Sequence, residues 1–183
     1  AYEIAVPTRY GDAMIRELMK QGEEFGAVAY GTESLGVMRV EKGHVAGNEL
    51  NGTSTALNMG LGKMVSKKKD SIGMVLSQRE GLTSEDGLRL VGVRPVDPSK
   101  PLTAGSHFLD IGAAPVAAND GGWLTSVVYS PHLRSSIALG YLKNGTARIG
   151  QRMRAVNLLA KTEVEVEIVS PHFFDPEGDR LRG

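Results

Sequence analysis

Cysteine is missing from all 183 residues. Its absence removes disulfides, thiolate zinc sites, iron–sulfur clusters and cysteine nucleophiles together. It also fits a reducing compartment, so a cytoplasmic location is expected. Neither charge is in excess, with 21 Lys and Arg against 21 Asp and Glu. That balance argues against nucleic acid held by bulk charge, since such domains are clearly basic. No apolar run approaches the roughly 20 residues of a membrane span, so no membrane partner is expected. Glycine, by contrast, is plentiful at 23 residues, many of them at turn-like positions, which points to short strands joined tightly. The remaining composition is that of a globular chain, with room for one domain or two small ones.

Residues 1–7 alternate apolar and polar, as in a strand already under way. A domain seldom begins mid-strand, and no charged-then-apolar leader is present. The expectation is therefore a piece of a longer polypeptide. Met14, Ile15, Leu18 and Met19 share one face of a helix over 11–24, ended by Gly22 or Gly26. Thr32 and Glu33 mark the start of a second helix that carries Leu35, Met38 and Val40 and stops near Gly43. Residues 44–62, rich in Gly, Asn and Thr, read as a long ordered loop. Lys67, Lys68, Lys69 and Asp70 read as a solvated turn.

From Arg89 onward short strands follow one another: Leu90–Val93, His107–Ile111, Trp123–Tyr129, Ile137–Leu142, Arg152–Leu159 and Glu163–Val169. The last is the clearest, with Val164, Val166 and Ile168 inward and Glu163, Glu165 and Glu167 outward at period two. Asn144-Gly145 is a hairpin signal. The fold class is α+β to residue 88, then a small antiparallel barrel or sandwich over 89–183.

Familiar catalytic patterns are absent. The histidines 44, 107, 132 and 172 show no metal-ligand spacing, so no metal is expected. No Gly-x-Ser-x-Gly occurs, and Gly60-Leu61-Gly62-Lys63 lacks the phosphate-loop spacing. Most suggestive is Arg39-Val40-Glu41-Lys42-Gly43, where a helix end opens into the glycine-rich loop. An arginine's planar fork matches a carboxylate or a heteroaromatic edge bidentately. The alternative is that Arg39 and Glu41 merely form surface ion pairs.

Three segments in order resemble the tetrahydrofolate-binding aminomethyltransferase family, the glycine cleavage T-protein and its relatives. They are Tyr2-Glu3-Ile4 through Tyr30-Gly31-Thr32-Glu33; Arg39-Val40-Glu41-Lys42-Gly43 through Ile72-Gly73; and Leu90-Val91-Gly92-Val93 through Pro171-His172-Phe173-Phe174-Asp175-Pro176-Glu177-Gly178. Within the family, Glu85-Asp86-Gly87-Leu88-Arg89 and the ending Asp179-Arg180-Leu181 are similar to the C-terminal part of the sarcosine oxidase alpha-subunit branch. The resemblance implies that 1–88 is the later part of a folate-binding domain and 89–183 its C-terminal barrel. It implies Arg39 as a pterin contact and Phe173 and Phe174 as aromatics near the folate. The family's pterin-binding glutamate and its methylene-transfer acid would precede Ala1, so no catalytic residue is expected in this chain.

For the whole protein the resemblance implies tetrahydrofolate, FAD, FMN and NAD. It also implies partner subunits and oxidation of sarcosine to glycine with formation of methylenetetrahydrofolate. The chain alone is expected to be inactive, to bind folate weakly, and to self-associate through an open sheet edge. A T-protein, a dimethylglycine oxidase or dehydrogenase, a demethylase of a methylated sulfur compound, a non-catalytic folate module and a purely structural barrel remain open readings.

Overall fold

A computed structural model describes residues 2–66 and 68–182, the side chain of Leu181 excepted. They fall into two compact units, one up to Leu35 and one from Gly36.

In the first unit, helix α1 (Gly11–Gly22) forms from local signals. Asp12 sits in its first turn and pairs with Arg16 one turn on, at 2.9 Å. A single 3-10 turn, Glu23–Phe25, follows and ends at Gly26 in the left-handed region. The apolar face predicted for this helix is present, but none of its residues is buried. Residues 2–7 form no strand; Tyr2 and Ile4 are exposed. Alternation there had nothing to pair with, because a strand needs a neighbour to satisfy its backbone groups.

Helix α2 (Thr32–Lys42) runs from the first unit into the second, with Val40 its one buried residue. Residues 44–62 are mostly loop, as predicted, with single turns at Gly47–Glu49 and Gly62–Met64, and most of 65–73 is loop as well. Lys67 of the predicted lysine turn lies outside the described residues. Short helices α3 (Met74–Ser77) and α4 (Glu80–Thr83) lead into the barrel.

The barrel has strands β1 (Leu88–Pro95), β2 (His107–Leu109), β3 (Gly122–Ser130), β4 (Ser135–Lys143), β5 (Arg152–Asn157) and β6 (Thr162–Val169). They close in the order β1-β4-β3-β2-β5-β6, and every pairing is antiparallel. Alternate residues fill the interior: Val91, Val93, Phe108, Leu142, Met153, Val166 and Ile168 form its core. A second cluster lies on the outer wall, where Leu90, Ile137, Leu139 and Tyr141 meet Val40 of α2, with Met59 and Phe173 packed alongside. β4 is therefore buried on both faces over Ser135–Leu142, which is why it reads as a nearly continuous apolar run. Burial of this kind contributes roughly 25 cal/mol per Å² of apolar surface and dominates the unit's stability.

Three expectations need correction. Asn144-Gly145 is not a hairpin: β4 and β5 are not neighbours, and Asn144 in the left-handed region starts a 3-10 turn instead. The tight β3–β4 and β5–β6 connections carry Arg134 and Lys161 at φ 53° in place of glycine or asparagine. Among the described residues no strand occurs before Leu88, and the barrel closes on itself. The open edge invoked for self-association is thus absent among the described residues. β2 and β5 also stop two residues short of their predicted ends.

Candidate functional site

The last turn of α2 is tied into the barrel unit by consecutive polar contacts. Arg39 lies at a helix end facing β3. Its Nη2 donates to Ser126 Oγ at 2.8 Å, and its Nη1 donates to Glu49 Oε2 and to the His44 carbonyl, each at 3.2 Å. Glu41 Oε1 accepts from Ser130 Oγ at 2.5 Å. Lys42 Nζ donates to Asp175 Oδ2 at 2.8 Å and to the Asp175 carbonyl. The alternative of surface ion pairs is not what the fold shows: Arg39 pairs with the buried Glu49, and Glu41 accepts from the Ser130 hydroxyl.

Glu49 is wholly buried. A buried carboxylate is costly unless its lone pairs are filled. Here Oε1 accepts from Thr125 Oγ1 at 2.5 Å and Ser126 Oγ at 2.6 Å, while Oε2 accepts from the Ala46 amide at 3.0 Å and from Arg39. A β-bulge makes the double hydroxyl contact possible. Leu124 pairs with Gly140 and Ser126 with Leu139, leaving Thr125 as the extra residue. Bulges re-aim side chains, so two successive hydroxyls reach one oxygen instead of pointing to opposite faces. Tyr141 closes the network by donating from its hydroxyl to the Glu49 carbonyl at 2.7 Å. Burial pushes the Tyr141 phenol above its ordinary range.

The outcome is a guanidinium fixed along one edge by a carboxylate, a hydroxyl and a carbonyl. A quarter of its side chain stays accessible. Its remaining N–H groups are able to meet a planar acceptor without further ordering of the arginine.

Phe173 and Phe174 sit on a C-terminal strap that wraps the same helix end. Their amides donate to the Glu41 carbonyl at 2.8 and 2.9 Å. His172 Nδ1 lies 3.0 Å from the Lys42 carbonyl. Since a carbonyl only accepts, Nδ1 carries the hydrogen. Gly43, at φ +76°, lets the strap pass, because a Cβ there would strike the Pro171 carbonyl. The Phe173 ring packs on the outer cluster against Gly92, where a Cβ would fall 2.9 Å from its tip. It also lines a cavity of about 460 Å³ with Arg94, Ile137 and His172. Phe174 makes an edge contact with His132 and lies under the Arg180 guanidinium. Arg39 does not line the cavity that Phe173 lines, so the three candidates share a helix end rather than one pocket.

Asp175 fixes the strap's end. Besides Lys42 it receives the Asp179 amide at 2.9 Å, capping α5 (Asp179–Arg182). The Lys42 ammonium above all, with the capping amides, holds its carboxyl below the usual carboxylate range. Sequence reasoning missed Glu49, Thr125, Ser126 and the Lys42–Asp175 clasp. The one signal available was Glu49 as the single acidic residue of the loop over 44–62, which is rich in Gly, Asn and Thr.

Among the described residues no group of three or more His, Cys, Asp or Glu stands close enough to hold a metal ion. None of their helices is long and apolar enough to cross a membrane.

Comparison with known proteins agrees with this architecture. The GCVT N-terminal domain family matches residues 1–69, and the glycine cleavage T-protein C-terminal barrel domain family matches residues 89–175. Sarcosine oxidase subunit alpha of Rhizobium meliloti (strain 1021) is 45% identical over 99% of this chain, which spans 18% of that protein. The subunit of the same name from Corynebacterium sp. (strain U-96) is 36% identical over 100% of this chain and 19% of its own length. The chain thus spans under a fifth of these curated relatives. The mitochondrial aminomethyltransferase of Pisum sativum is 27% identical over 85% of this chain and 37% of that protein. Among solved structures, the glycine cleavage system aminomethyltransferase T from Bartonella henselae superposes with a TM-score of 0.65 at 19% identity, covering 93% of this chain and 45% of that one. That likeness establishes the fold, helices followed by a closed six-strand antiparallel barrel. Two domain families of the glycine cleavage T-protein thus match the chain in order, one on each side of the start of the barrel.

Proposed function

We infer that this chain is the folate-binding end of a sarcosine oxidase alpha subunit. Identity of 45% along 99% of the chain to a protein of that name is the observation that carries the reading. The prepared guanidinium of Arg39 supports it. On this reading residues 1–88 contribute the later part of the folate domain and 89–183 the barrel. Arg39 offers its outward N–H groups to the carbonyl and ring-nitrogen acceptors of the pterin. Phe173 and Phe174 supply aromatic surface near the folate. Sarcosine is oxidised at a flavin held by other sequence, with dioxygen reduced to hydrogen peroxide. Tetrahydrofolate takes the one-carbon unit, leaving glycine and 5,10-methylenetetrahydrofolate. FAD, FMN and NAD, and the partner subunits, belong to the whole protein. The chain alone is inactive and binds folate weakly.

The test uses the full-length polypeptide with its partner subunits, given sarcosine and increasing tetrahydrofolate. Formaldehyde and methylenetetrahydrofolate are both quantified. Arg39→Ala removes a charge-assisted contact, so the tetrahydrofolate concentration for half-maximal trapping rises about tenfold or more. An unchanged half-saturation contradicts the assignment.

A further inference from the structure

On the far side of the barrel from these contacts lies a cavity of about 510 Å³, a volume usual for small-molecule sites. It opens on the outer wall between β2 and β5. Phe108 and Ala155 point into the barrel core, so their neighbours His107, Leu109 and Val156 point outward. Leu109 and Val156 form a buried apolar floor. Val116, from the loop before β3, and Leu158 and Leu159, from the β5–β6 turn, form apolar walls, and Leu159 is 97% exposed.

One oriented polar group faces this space. His107 Nδ1 lies 3.0 Å from Asp120 Oδ2. Asp120 is itself held, because its Oδ1 accepts the Gly122 amide at 2.9 Å. A carboxylate only accepts, so Nδ1 carries the hydrogen, and in the neutral ring Nε2 is a bare acceptor. Nε2 has no hydrogen-bond partner among the described residues. Asn157, the other polar side chain of the lining, is engaged with the Ala104 carbonyl and the Ala160 amide. The nearby charges Arg154 and Glu163 pair with each other. The cavity therefore offers apolar surface and one fixed acceptor, with the Asp120 carboxylate of its lining already engaged by His107 and the Gly122 amide.

We propose that this cavity is a second ligand site, distinct from the folate region, for a small neutral molecule with an apolar body and one O–H donor, such as a phenol. His107 accepts that hydrogen, and Asp120 keeps its ring in the accepting tautomer. The proposal is independent of the folate reading.

The probes are p-cresol and toluene, which have nearly the same shape but differ in the hydroxyl. They are titrated into the full chain at up to ~4 mM, within the aqueous solubility of toluene, a range that reads millimolar dissociation constants. The His107 ring protons are followed by NMR. Toluene is the more apolar, so transfer from water alone favours it; the Nε2 acceptor reverses that order. p-Cresol binds about tenfold tighter than toluene in the native chain, the worth of one hydrogen bond. His107→Phe abolishes the preference. Asp120→Asn keeps the contact to Gly122 but donates to Nδ1 and flips the tautomer; a phenol can then accept from Nε2, so this variant is probed with 4-methylanisole, an acceptor only, which gains affinity there and not in the native chain. Thermal melts confirm that both variants are folded. The proposal is overturned if neither probe binds, if toluene binds as well as p-cresol, if the preference survives His107→Phe, or if 4-methylanisole binds the native chain as well as it binds Asp120→Asn.

Discussion

Glu49 is the residue whose removal should be felt most in the barrel unit. Truncation to alanine removes the acceptor for four donors, from Thr125, Ser126, Ala46 and Arg39. They are not equally stranded. Thr125 can turn to the Leu139 carbonyl, already 3.1 Å away. The Ser126 hydroxyl loses its acceptor and only goes on accepting from Arg39, which is itself partly wet and keeps the His44 carbonyl. The Ala46 amide has no alternative and costs about 1–3 kcal/mol. Breaking a buried pair costs about 3–5 kcal/mol in general, and the accessibility of Arg39 places this case near 3. Loss of that size lowers the melting temperature by roughly 10 °C in a unit of this length. Glu49→Gln is a sharper probe. Its NH₂ must face the hydroxyls, because only they can reverse and accept; the cost falls to about 1–2 kcal/mol. Urea unfolding followed by circular dichroism measures both. The reasoning is refuted if Glu49→Ala costs less than about 1 kcal/mol, or if the two variants are equally destabilised.

Two titrations follow from the same geometry. With five tyrosines in the chain, absorbance near the phenolate band should show one group ionising above the usual ~10, held back by the burial of Tyr141. Tyr141→Phe should delete that late step, and a survival of the step in the variant assigns it elsewhere. Asp175 has its carboxyl held low in the fold, chiefly by Lys42. Its contribution to strap stability is therefore complete above the ordinary carboxyl range and is lost as pH falls through the lowered value, below about pH 4. The protection factors of the Asp179 and Arg180 amides should fall in that window and be low at every pH in Asp175→Ala, which removes the accepting Oδ1; pH-independent protection would contradict the clasp.

Where local chemistry and tertiary context agreed, the sequence was readable. β6 shows it best: glutamates and branched residues alternate, and the strand has one wet face. α2 had its first-turn acid and its glycine stop. β4 gave the right element but not its two-sided burial, which depends on α2 returning to the wall. Chain order could not give the closure of β2 onto β5, since strands that pair across a barrel carry no mutual signal. Asn144-Gly145 misled because a left-handed residue starts a 3-10 turn as readily as a hairpin. The apolar face of α1 was legible, but its lack of burial was not. Arg39 stood out by residue type and place. What holds it did not, because the bulge that turns Thr125 and Ser126 to the same side leaves no periodic trace, and Glu49 looks like any loop acid. Phe173 and Phe174 were visible as a pair. Only the fold shows that one ring packs on the outer wall while the other lies between His132 and Arg180.

The central claim is that this chain is the folate end of a larger sarcosine-oxidising assembly. The most direct test is the intact mass of the polypeptide that carries it in its native source, with the composition of what copurifies. The account predicts a polypeptide several times longer than 183 residues, in stable complex with flavin-bearing subunits. A parent of T-protein size, about twice this chain and free of flavin subunits, would contradict it and make the chain part of a stand-alone aminomethyltransferase.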